Sequence, residues 1–509
     1  MVKEMIVPVE KLSRSFMKYP KDADYVIESV PARTLLSYRR FDFYAKLLYI
    51  DHYEKGLDLT YAKKLYLSQV SAITHNTNAE EGNDEKNSAN LFLSVFNQLI
   101  NDIKTNGFNA DVSLIPVDSE GYVIDGAHRV TIAAYYDLNV TIIRFLDWKT
   151  NLKTDWKFLR ENFLEERFLD ALALECCKWH DNLYMACIWP KSLTKKKEKE
   201  DADRYIESEV HVVYRKKVKM SWIALHNFML QIYGHMNWIG SPENHFSGVD
   251  AKVKEVVCKD YDECEFLLIE ADSYQHVFDL KQTVREIYGI GLSSIHITDN
   301  IRETKQIADL IYNENSLYHV RNAMPDRFLN SFRLVRTFKN IIAENGLKYS
   351  NFVVDSSMAM AICGIRNAED LDFYTDEKSE KTNGLFKNHK IENHENCLKF
   401  HNKSAVDLIY NPENYFVFDE IKFISLQQML KFKQSRGETK DLNDVKMIKS
   451  FLHQNVFSQF LLAYFEKKHM LNIWFRTIKK KLGMKFKNIL KSVHLFHVVK
   501  KVYKLFVRT

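Results

Sequence analysis

The spacing of apolar residues predicts two helices and a pair of strands in the first 165 residues. One helix covers 39–49. The other covers 87–104, is followed by Gly107 as a stop, and has an apolar residue at every fourth position: Leu91, Val95, Leu99 and Ile103. The polar stretch 75–86 interrupts this periodicity and predicts a loop. Two short apolar runs, 113–117 and 122–124, flank a polar turn and predict a hairpin-like pair of strands.

The stretch from 166 to 325 mixes both periodicities and predicts an α/β region. Its pattern is helical from about 166 to 195, and the charge-dense stretch 191–203 predicts an exposed loop or linker. Farther on, the predicted strands are 209–214, 266–270 and 294–300, and the predicted helices are 221–233, 277–288 and 302–312. Three polar residues lie near predicted strand ends, where ligands often bind in α/β sheets and where helix caps and turns also use them: His296, Asp299 and Asn315.

A third unit begins near Asp326 with a long amphipathic helix to about Asn345, followed by the break Gly346 and the strand 352–354. A chain of 509 residues is too long for one core and should form about three or four domains. We therefore predict a multi-domain α+β protein. Its predicted divisions are 1–165, 166–325, 326–465 and 466–509, with the last helices of the third unit reaching about 465.

Composition predicts a cytoplasmic protein. The hydrophobic and charged fractions, 46% and 27%, are those of a globular chain. Charges interrupt the first few residues, where a signal peptide needs an apolar core, and no uncharged apolar run approaches about 20 residues. The seven cysteines include no CxxC pair, so we expect reduced and mostly buried thiols.

The last 43 residues differ from the rest because they carry 13 Lys or Arg and no Asp or Glu. The remainder of the chain is net acidic, which argues against a general nucleic-acid binder. In this tail, apolar and basic residues alternate at helical spacing after Trp474 and Phe475, a pattern typical of an interfacial helix on anionic lipid. A partner-binding helix and an RNA-binding tail are the alternatives.

Strand, turn and helix signals meet between Val123 and Ala134, around Asp125-Gly126-Ala127-His128-Arg129. Glycine permits close backbone approach, a helix start offers unpaired N–H groups, and His128 and Arg129 add donors for phosphate oxygens. The motif resembles the signature of the ParB/sulfiredoxin superfamily, in which a strand ends in an acidic residue or Asn, followed by Gly, a variable residue and His-Arg. The resemblance implies a phosphate-binding domain over 1–165, with Gly126, His128 and Arg129 at the phosphate.

Members of this superfamily are partition proteins that bind CTP, sulfiredoxins that use ATP, nucleases, and kinases of free serine. A partition protein needs a helix-turn-helix directly downstream, and 150–190 shows no basic recognition helix. Sulfiredoxin chemistry needs a cysteine beside the phosphate loop, and none precedes Cys176. The resemblance therefore implies a kinase-like or nucleotide-hydrolysing role, which requires a general base. The candidate bases are Glu80, Glu81 and Asp125, with Lys86 as a phosphate contact; an exposed loop and a helix cap are the alternative interpretations.

A second motif runs from Val353 to Phe373 and contains Ser356-Ser357, Gly364-Ile365-Arg366 and Asp370-Leu371-Asp372. Two carboxylates that lie two positions apart on a strand face the same way and can share divalent metal ions. This motif resembles the polymerase-β-like nucleotidyltransferase superfamily over about 326–455. The resemblance implies that Asp370 and Asp372 bind metal, and that Ser356 and Ser357 hold phosphate oxygens at a helix start.

The same superfamily takes a third carboxylate from a later strand, and the apolar stretch 405–410 offers Asp407 for this role. The helix that closes many small members presents basic residues to phosphate, and the matching residues here are Lys433, Arg436 and Lys440. Ser356 stands where the superfamily usually has Gly, so a degenerate copy kept for binding or scaffolding is the alternative.

Together the two motifs predict a nucleotide-dependent phosphotransferase, kinase-like or nucleotidyl-transferring, that acts on a small precursor. The implied cofactors are ATP or another nucleoside triphosphate and Mg or Mn. With the basic tail, the combination favours bacterial surface-polysaccharide biosynthesis at the inner face of the cell membrane, and nucleic acid is the less favoured partner. The alternatives are a nucleotide-responsive or nucleic-acid-binding regulator with degenerate catalytic folds, and a toxin-like nucleotidyltransferase.

Overall fold

The computed structural model describes residues 12, 23–80, 86–382, 384–387, 389–453 and 478, and these form a mixed α and β architecture with several small sheets. The predicted α+β class is thus confirmed. The predicted basic tail, 466–509, lies outside the described residues apart from position 478, as do the helical turns predicted between 454 and 465. Among the described helices, none has the length and apolar character needed to cross a membrane.

The first unit contains five helices and a three-stranded sheet. Its elements are β1 (Tyr25–Pro31), α1 (Asp42–Glu54), α2 (Thr60–Ile73), α3 (Ala89–Asn106), β2 (Ile115–Val117), α4 (Ala127–Tyr135), β3 (Asn139–Phe145) and α5 (Trp156–Glu161). Strand β3 is central, antiparallel to β1 and parallel to β2. The predicted strand 122–124 is an extended segment that bridges β2 between Val123 and Val117, and it leads directly into the turn before α4.

The buried face of α3 differs from the predicted one. The helix spans the predicted residues and ends at Gly107, but its buried residues are Phe92, Phe96, Ile100 and Ile103. Leu91, predicted to be internal, is 39% exposed. The two phenylalanines remove more apolar surface from water than the aliphatic residues beside them, so they set the rotation of the helix about its axis.

The middle unit contains a four-stranded antiparallel sheet covered on both faces. Its elements are α6 (Glu166–Trp179), β4 (Leu183–Ile188), α7 (Pro190–Leu193), α8 (Lys196–Glu209), β5 (His211–Lys219), α9 (Trp222–Ile232), α10 (Ser247–Val256), β6 (Glu263–Glu270), α11 (Tyr274–Tyr288), β7 (Ile295–Ile297), α12 (Ile301–Ile311) and α13 (Glu314–Asn322). The strand order is β5-β6-β4-β7. The predicted strands and helices after residue 205 are therefore confirmed.

Two segments of this unit were predicted wrongly. Strand β4 lies inside the stretch predicted to be helical, and all six of its residues are buried, so no polar position alternates to reveal a strand. The charge-dense stretch predicted as a loop instead begins α8, which buries Ala202 and Ile206. An ion pair between Lys199 and Asp203 along this helix, and one of 2.8 Å from Lys199 to Glu265 of β6, anchor it to the sheet.

The third unit contains a mixed five-stranded sheet. Its elements are α14 (Leu329–Glu344), β8 (Phe352–Asp355), α15 (Ser356–Ile362), β9 (Leu371–Thr375), α16 (Ser379–Thr382), β10 (Ile391–Asn393), α17 (Ala405–Tyr410), β11 (Tyr415–Phe418), β12 (Ile421–Ile424), α18 (Leu426–Arg436) and α19 (Thr439–His453). The strand order is β10-β9-β8-β12-β11, in which β9 is antiparallel to β8 and β12 is parallel to it. The predicted helix, the break at Gly346 and the strand that follows are confirmed.

A single apolar core connects the three units. It runs from Ala32 in the first unit through Tyr214 in the middle unit to Ile448 in α19, and a second cluster fills the opposite face of the middle sheet. All seven cysteines are unpaired, and five of them are buried. The units therefore pack as neighbours that share buried surface.

Buried His319 should make the protein less stable in mild acid. Its ring is 1% exposed, stacks on Phe416 at 4.6 Å, and has its pKa lowered to about 3 by burial. An unfolded histidine titrates near about 6.5, so the unfolded chain binds more protons below that pH. The free energy of unfolding should therefore fall as the pH decreases from about 6.5 towards 3. Urea unfolding at pH 7 and pH 5 measures this, and a His319→Gln chain with an unchanged pH dependence would contradict it.

Candidate functional site

The turn at Gly126 has a backbone conformation that only glycine adopts easily. Its φ is +86°, and it precedes the first residue of α4. A Cβ at this position would lie 2.6 Å from Cδ1 of Ile115 and 2.9 Å from Nη2 of Arg129. A residue with a Cβ would therefore clash with its neighbours here. Glycine permits the close backbone approach that the phosphate-binding interpretation requires.

His128 is held by aromatic residues of the helices behind it. Its Nε2 lies 2.8 Å from the Tyr66 hydroxyl, and its ring meets Phe96 edge-on at 4.7 Å. Removal from water, with further contributions from the charges of Lys46 and Lys86, lowers the pKa of His128 well below its usual value. The side chain is therefore neutral near pH 7 and fixes the start of α4 against the core.

Arg129 lies beside the acidic residue of the turn. Its guanidinium donates to the Ser113 hydroxyl, and Nη2 lies 3.8 Å from Oδ2 of Asp125. The half-buried guanidinium is thus oriented towards the loop that precedes α4.

A buried ion cluster that the sequence interpretation missed lies behind this turn. Asp42 accepts two hydrogen bonds from Arg40, of 2.9 and 3.0 Å, and one of 2.7 Å from Lys46. These side chains are at most 9% exposed, so two cations share one buried carboxylate. Arg40 also donates to the Val123 carbonyl at 2.6 Å, which attaches the cluster to the strand leading into the turn.

The predicted loop brings Glu80 and Lys86 to the same place. Their side chains form an ion pair of 2.9 Å, and the Glu80 N–H donates to the Lys86 carbonyl at 2.8 Å. Besides burial, the charge of Lys86 lowers the pKa of His128 and that of Glu80 raises the pKa of Tyr66, so both charges lie within electrostatic range of the Tyr66–His128 pair. Glu81 lies outside the described residues. The Glu80–Lys86 pair is thus coupled electrostatically to the contact between Tyr66 and His128, which lies behind the turn.

In the third unit, Ser356 adopts the left-handed backbone conformation, with φ of +59°. This is the position at which the nucleotidyltransferase superfamily usually has Gly, and an L-residue in this conformation is strained. Ser356 directly follows β8, and Ser357 donates to Oδ1 of Asp370 at 3.4 Å. Both serines therefore lie beside the predicted Asp-x-Asp pair.

Asp370 and Asp372 belong to a cluster of three carboxylates. Asp372 lies in β9 opposite Asp355, the last residue of β8. Burial, followed by repulsion from Asp370 and Asp355, raises the pKa of Asp372, although His394 opposes the shift. Asp355 was not among the predicted residues, because its place beside Asp372 depends on the strand pairing.

Two histidines approach the buried carboxylate of Asp355. His394 Nδ1 lies 2.9 Å from one oxygen, and His401 Nε2 lies 3.3 Å from the other. Asp355 is fully buried, and these histidines outweigh its desolvation and lower its pKa. Within the described part of the chain, no group of three or more His, Cys, Asp or Glu side chains has the arrangement of a metal site.

The prediction that Asp407 lies on a strand is wrong, because residues 405–410 form the helix α17. The Ser404 hydroxyl caps this helix by accepting from the Asp407 N–H at 3.1 Å, which overrides the β-branched and aromatic composition. The Asp407 carboxylate is held by Lys403 at 2.8 Å and by the Asp58 N–H at 3.0 Å. Asp407 thus joins the third unit to the first.

The basic residues of α18 are paired with carboxylates. Arg436 makes a bidentate contact of 2.7 and 2.8 Å with Asp441, and Lys433 lies 3.1 Å from Asp441 and 3.0 Å from Asp444. Lys433 is 2% exposed, so the pairs join α18 to α19. Lys440 lies in α19, and its side chain is outside the described part of the chain.

The polar residues singled out in the middle unit make structural contacts. His296 packs against Tyr233 at 5.4 Å, and burial lowers its pKa to about 3. Asp299 accepts from Lys281 at 2.8 Å, and Asn315 donates to two backbone carbonyls that precede β11. These contacts account for each of the three residues, and the structure leaves two candidate sites, the Gly126 turn and the Asp355-Asp370-Asp372 cluster.

No protein-family model, curated protein or solved structure matches the chain.

Proposed function

We propose that this protein transfers a phosphoryl group from ATP or another nucleoside triphosphate to a hydroxyl of a small precursor at the Gly126 turn. The observation that carries the proposal is the pair of buried basic side chains beside the turn, Arg40 and Lys46, which share the carboxylate of Asp42 and of which Lys46 has its pKa lowered by burial. Buried charge of one sign is costly unless an ion of the opposite sign neutralises it. A triphosphate at the turn supplies that charge.

The predicted residues of the first motif that lie in the described part of the chain each have a role in this proposal. The first N–H groups of α4, Arg129 and Lys86 bind phosphate oxygens, and Gly126 permits their close approach. Glu80 accepts the proton of the acceptor hydroxyl while the new O–P bond forms and the bond to the leaving nucleoside diphosphate breaks. Asp125 is the second candidate for this base, and His128 is a positioning residue that fixes the start of α4.

Nucleotide binding to the full chain tests the proposal. Arg129→Ala should weaken ATP binding by roughly 1.5–3 kcal/mol, because it removes a charge-assisted contact to phosphate. Calorimetry of the two chains measures this difference. Arg144→Ala is the matched control, since Arg144 pairs with Glu28 at 2.9 Å on the sheet of the same unit. Equal ATP affinity for Arg129→Ala and the unaltered chain would place nucleotide binding elsewhere.

A second candidate function, nucleotidyl transfer, is favoured by the left-handed backbone of Ser356 beside three carboxylates. Asp370 and Asp372 would hold Mg or Mn, since burial and then repulsion from Asp370 and Asp355 raise the pKa of Asp372, and a cation would favour its charged form. A metal ion held there would supply Lewis-acid stabilisation of the charge that develops on phosphate during transfer. Asp355 would orient His394 beside this pair, and Ser357 would position Asp370.

Metal titration separates this function from the first. Asp370→Asn with Asp372→Asn should abolish Mn binding and remove several kcal/mol of transition-state stabilisation from nucleotidyl transfer. Glu369→Gln, an exposed neighbour, is the matched control. Mn binding that survives the double change would show that these two carboxylates do not hold the metal.

The proposed setting is the cytoplasm at the inner face of a bacterial membrane, in the preparation of surface-polysaccharide precursors. It is supported by the pairing of two phosphate-handling motifs and by the basic tail. Truncation after Glu466 should release the protein from anionic vesicles, and vesicle binding that persists without the tail would remove this part of the proposal.

A further inference from the structure

A cavity of about 450 Å³ lies where the three units meet. Its walls come from α1 and α2 of the first unit, from α6 and α12 of the middle unit, and from the segment before β11 and α18 of the third. This volume is typical of pockets that bind small molecules. None of the residues assigned to the two phosphate sites lines it, so it is a separate site.

His52 lines this cavity with an unpartnered nitrogen. The side chain is 3% exposed, its Nδ1 lies 3.0 Å from the Leu48 carbonyl, and within the described part of the chain its Nε2 has no hydrogen-bond partner. Burial lowers the pKa of His52, so the ring is neutral and Nδ1 carries the proton that the carbonyl accepts. Nε2 is then a buried acceptor that requires a donor.

Two carboxylates in the wall lack a side-chain partner among the described residues. The half-buried Asp309 of α12 and the exposed Glu413 before β11 make no side-chain hydrogen bond or ion pair there. Desolvation raises the pKa of Asp309 to about 6, against the opposing charges of Lys422 and Lys178, and also raises the pKa of Glu413. Within the described part of the chain, each of the three units therefore contributes one acceptor without a side-chain partner to the same cavity.

The basic residues in the wall do not neutralise these acids. Lys178 pairs with Glu175 at 2.6 Å, Lys403 pairs with Asp407 at 2.8 Å, and Arg167 pairs with a glutamate outside the cavity at 2.7 Å. In the described part of the chain, this leaves Lys431 in the wall against three acids without an ion pair, the half-buried Asp309 and the exposed Glu314 and Glu413. Lys422, which does not line the cavity, also acts on Asp309 through its charge. The unpaired charge in the wall is therefore negative, which disfavours an anionic ligand.

We propose that this cavity binds a small ligand that carries a protonated amine. The ammonium group neutralises the carboxylates of Asp309 and Glu413, and a further N–H or O–H of the ligand donates to Nε2 of His52. An amino sugar and a polyamine both present this chemistry. A ligand that bridges the acceptors also ties the three units together, because each unit supplies one contact.

Calorimetry of the full chain with three probes tests the proposal. Glucosamine and spermidine carry the amine, and glucose matches the shape of glucosamine without its charge. We expect an amine probe to bind more tightly than glucose, and we expect Asp309→Asn and Glu413→Gln each to weaken that binding roughly tenfold. Binding of glucosamine alone indicates an amino sugar, and binding of spermidine alone indicates a polyamine. Glu286→Gln, an exposed control on α11, should leave the affinity unchanged.

Two results would overturn the proposal: neither amine binding more tightly than glucose, or an amine affinity that is unchanged in Asp309→Asn. The thermal midpoint without ligand shows whether each variant still folds, because the charge of Asp309 also acts on Lys422.

Discussion

Replacing Glu80 with glutamine is expected to slow phosphoryl transfer by about 10²–10⁴-fold, the usual contribution of a general base. The substitution keeps the size of the side chain and removes the carboxylate that pairs with Lys86 at 2.9 Å. Nucleotide affinity should change little, because the phosphate contacts proposed for Arg129 and α4 remain. The rate at which labelled γ-phosphate reaches the acceptor measures the effect.

Glu81→Gln is the companion to this substitution, since it changes the adjacent candidate base in the sequence. It should retain phosphoryl transfer. If Glu81→Gln abolishes transfer and Glu80→Gln does not, the general base is Glu81. If neither substitution changes the rate, Asp125 is the remaining candidate for the general base, and the proposed catalytic role of Glu80 is wrong.

Replacing Asp42 with asparagine should destabilise the protein by about 3–5 kcal/mol. The change leaves the buried cations Arg40 and Lys46 without their shared carboxylate, and breaking a buried ion pair on one side is strongly destabilising. Urea unfolding measures the loss. Asp51→Asn is a control on the same helix, because Asp51 pairs with Lys55 in a partly exposed contact worth less than about 1 kcal/mol. Equal losses for the two variants would show that the Asp42 cluster contributes no more than a surface pair.

The sequence predicted the elements that have strong local signals. Gly107 ends α3, Gly346 follows α14, and Asn300 caps α12, because glycine and cap residues act within a few positions of the chain. The turn at Gly126 was predictable for the same reason, since a strand, a glycine and a helix start adjoin one another there. These signals do not depend on how distant segments pack.

The elements that were predicted wrongly are those in which tertiary packing outweighs the local sequence pattern. Strand β4 is buried on both faces, so its residues show no alternation. Helix α17 has the composition of a strand and forms because Ser404 caps it and Asp407 bonds to segments on either side. In α8, charged residues that suggested a solvated loop pair along the helix and with the middle sheet.

The candidate sites were only partly predictable for a related reason. Motif residues such as Gly126 and Asp370 are recognisable along the chain, but their charged neighbours come from distant segments. Asp42 lies on α1, and Asp355 faces Asp372 only because β8 and β9 pair. The cavity where the units meet has walls from all three, so no single stretch of sequence could reveal it.

Phosphoryl transfer at the Gly126 turn is tested by following the two ends of a labelled nucleotide. The full chain is incubated with a small-molecule extract and with ATP labelled either in the γ-phosphate or in the nucleoside, and both labels are followed to the products. We predict that the γ-label reaches a small acceptor, and that this transfer is lost when Glu80→Gln is combined with Arg129→Ala. Transfer of γ-label that persists in this double variant, or nucleotide binding without any transfer, would contradict a phosphotransferase at the Gly126 turn.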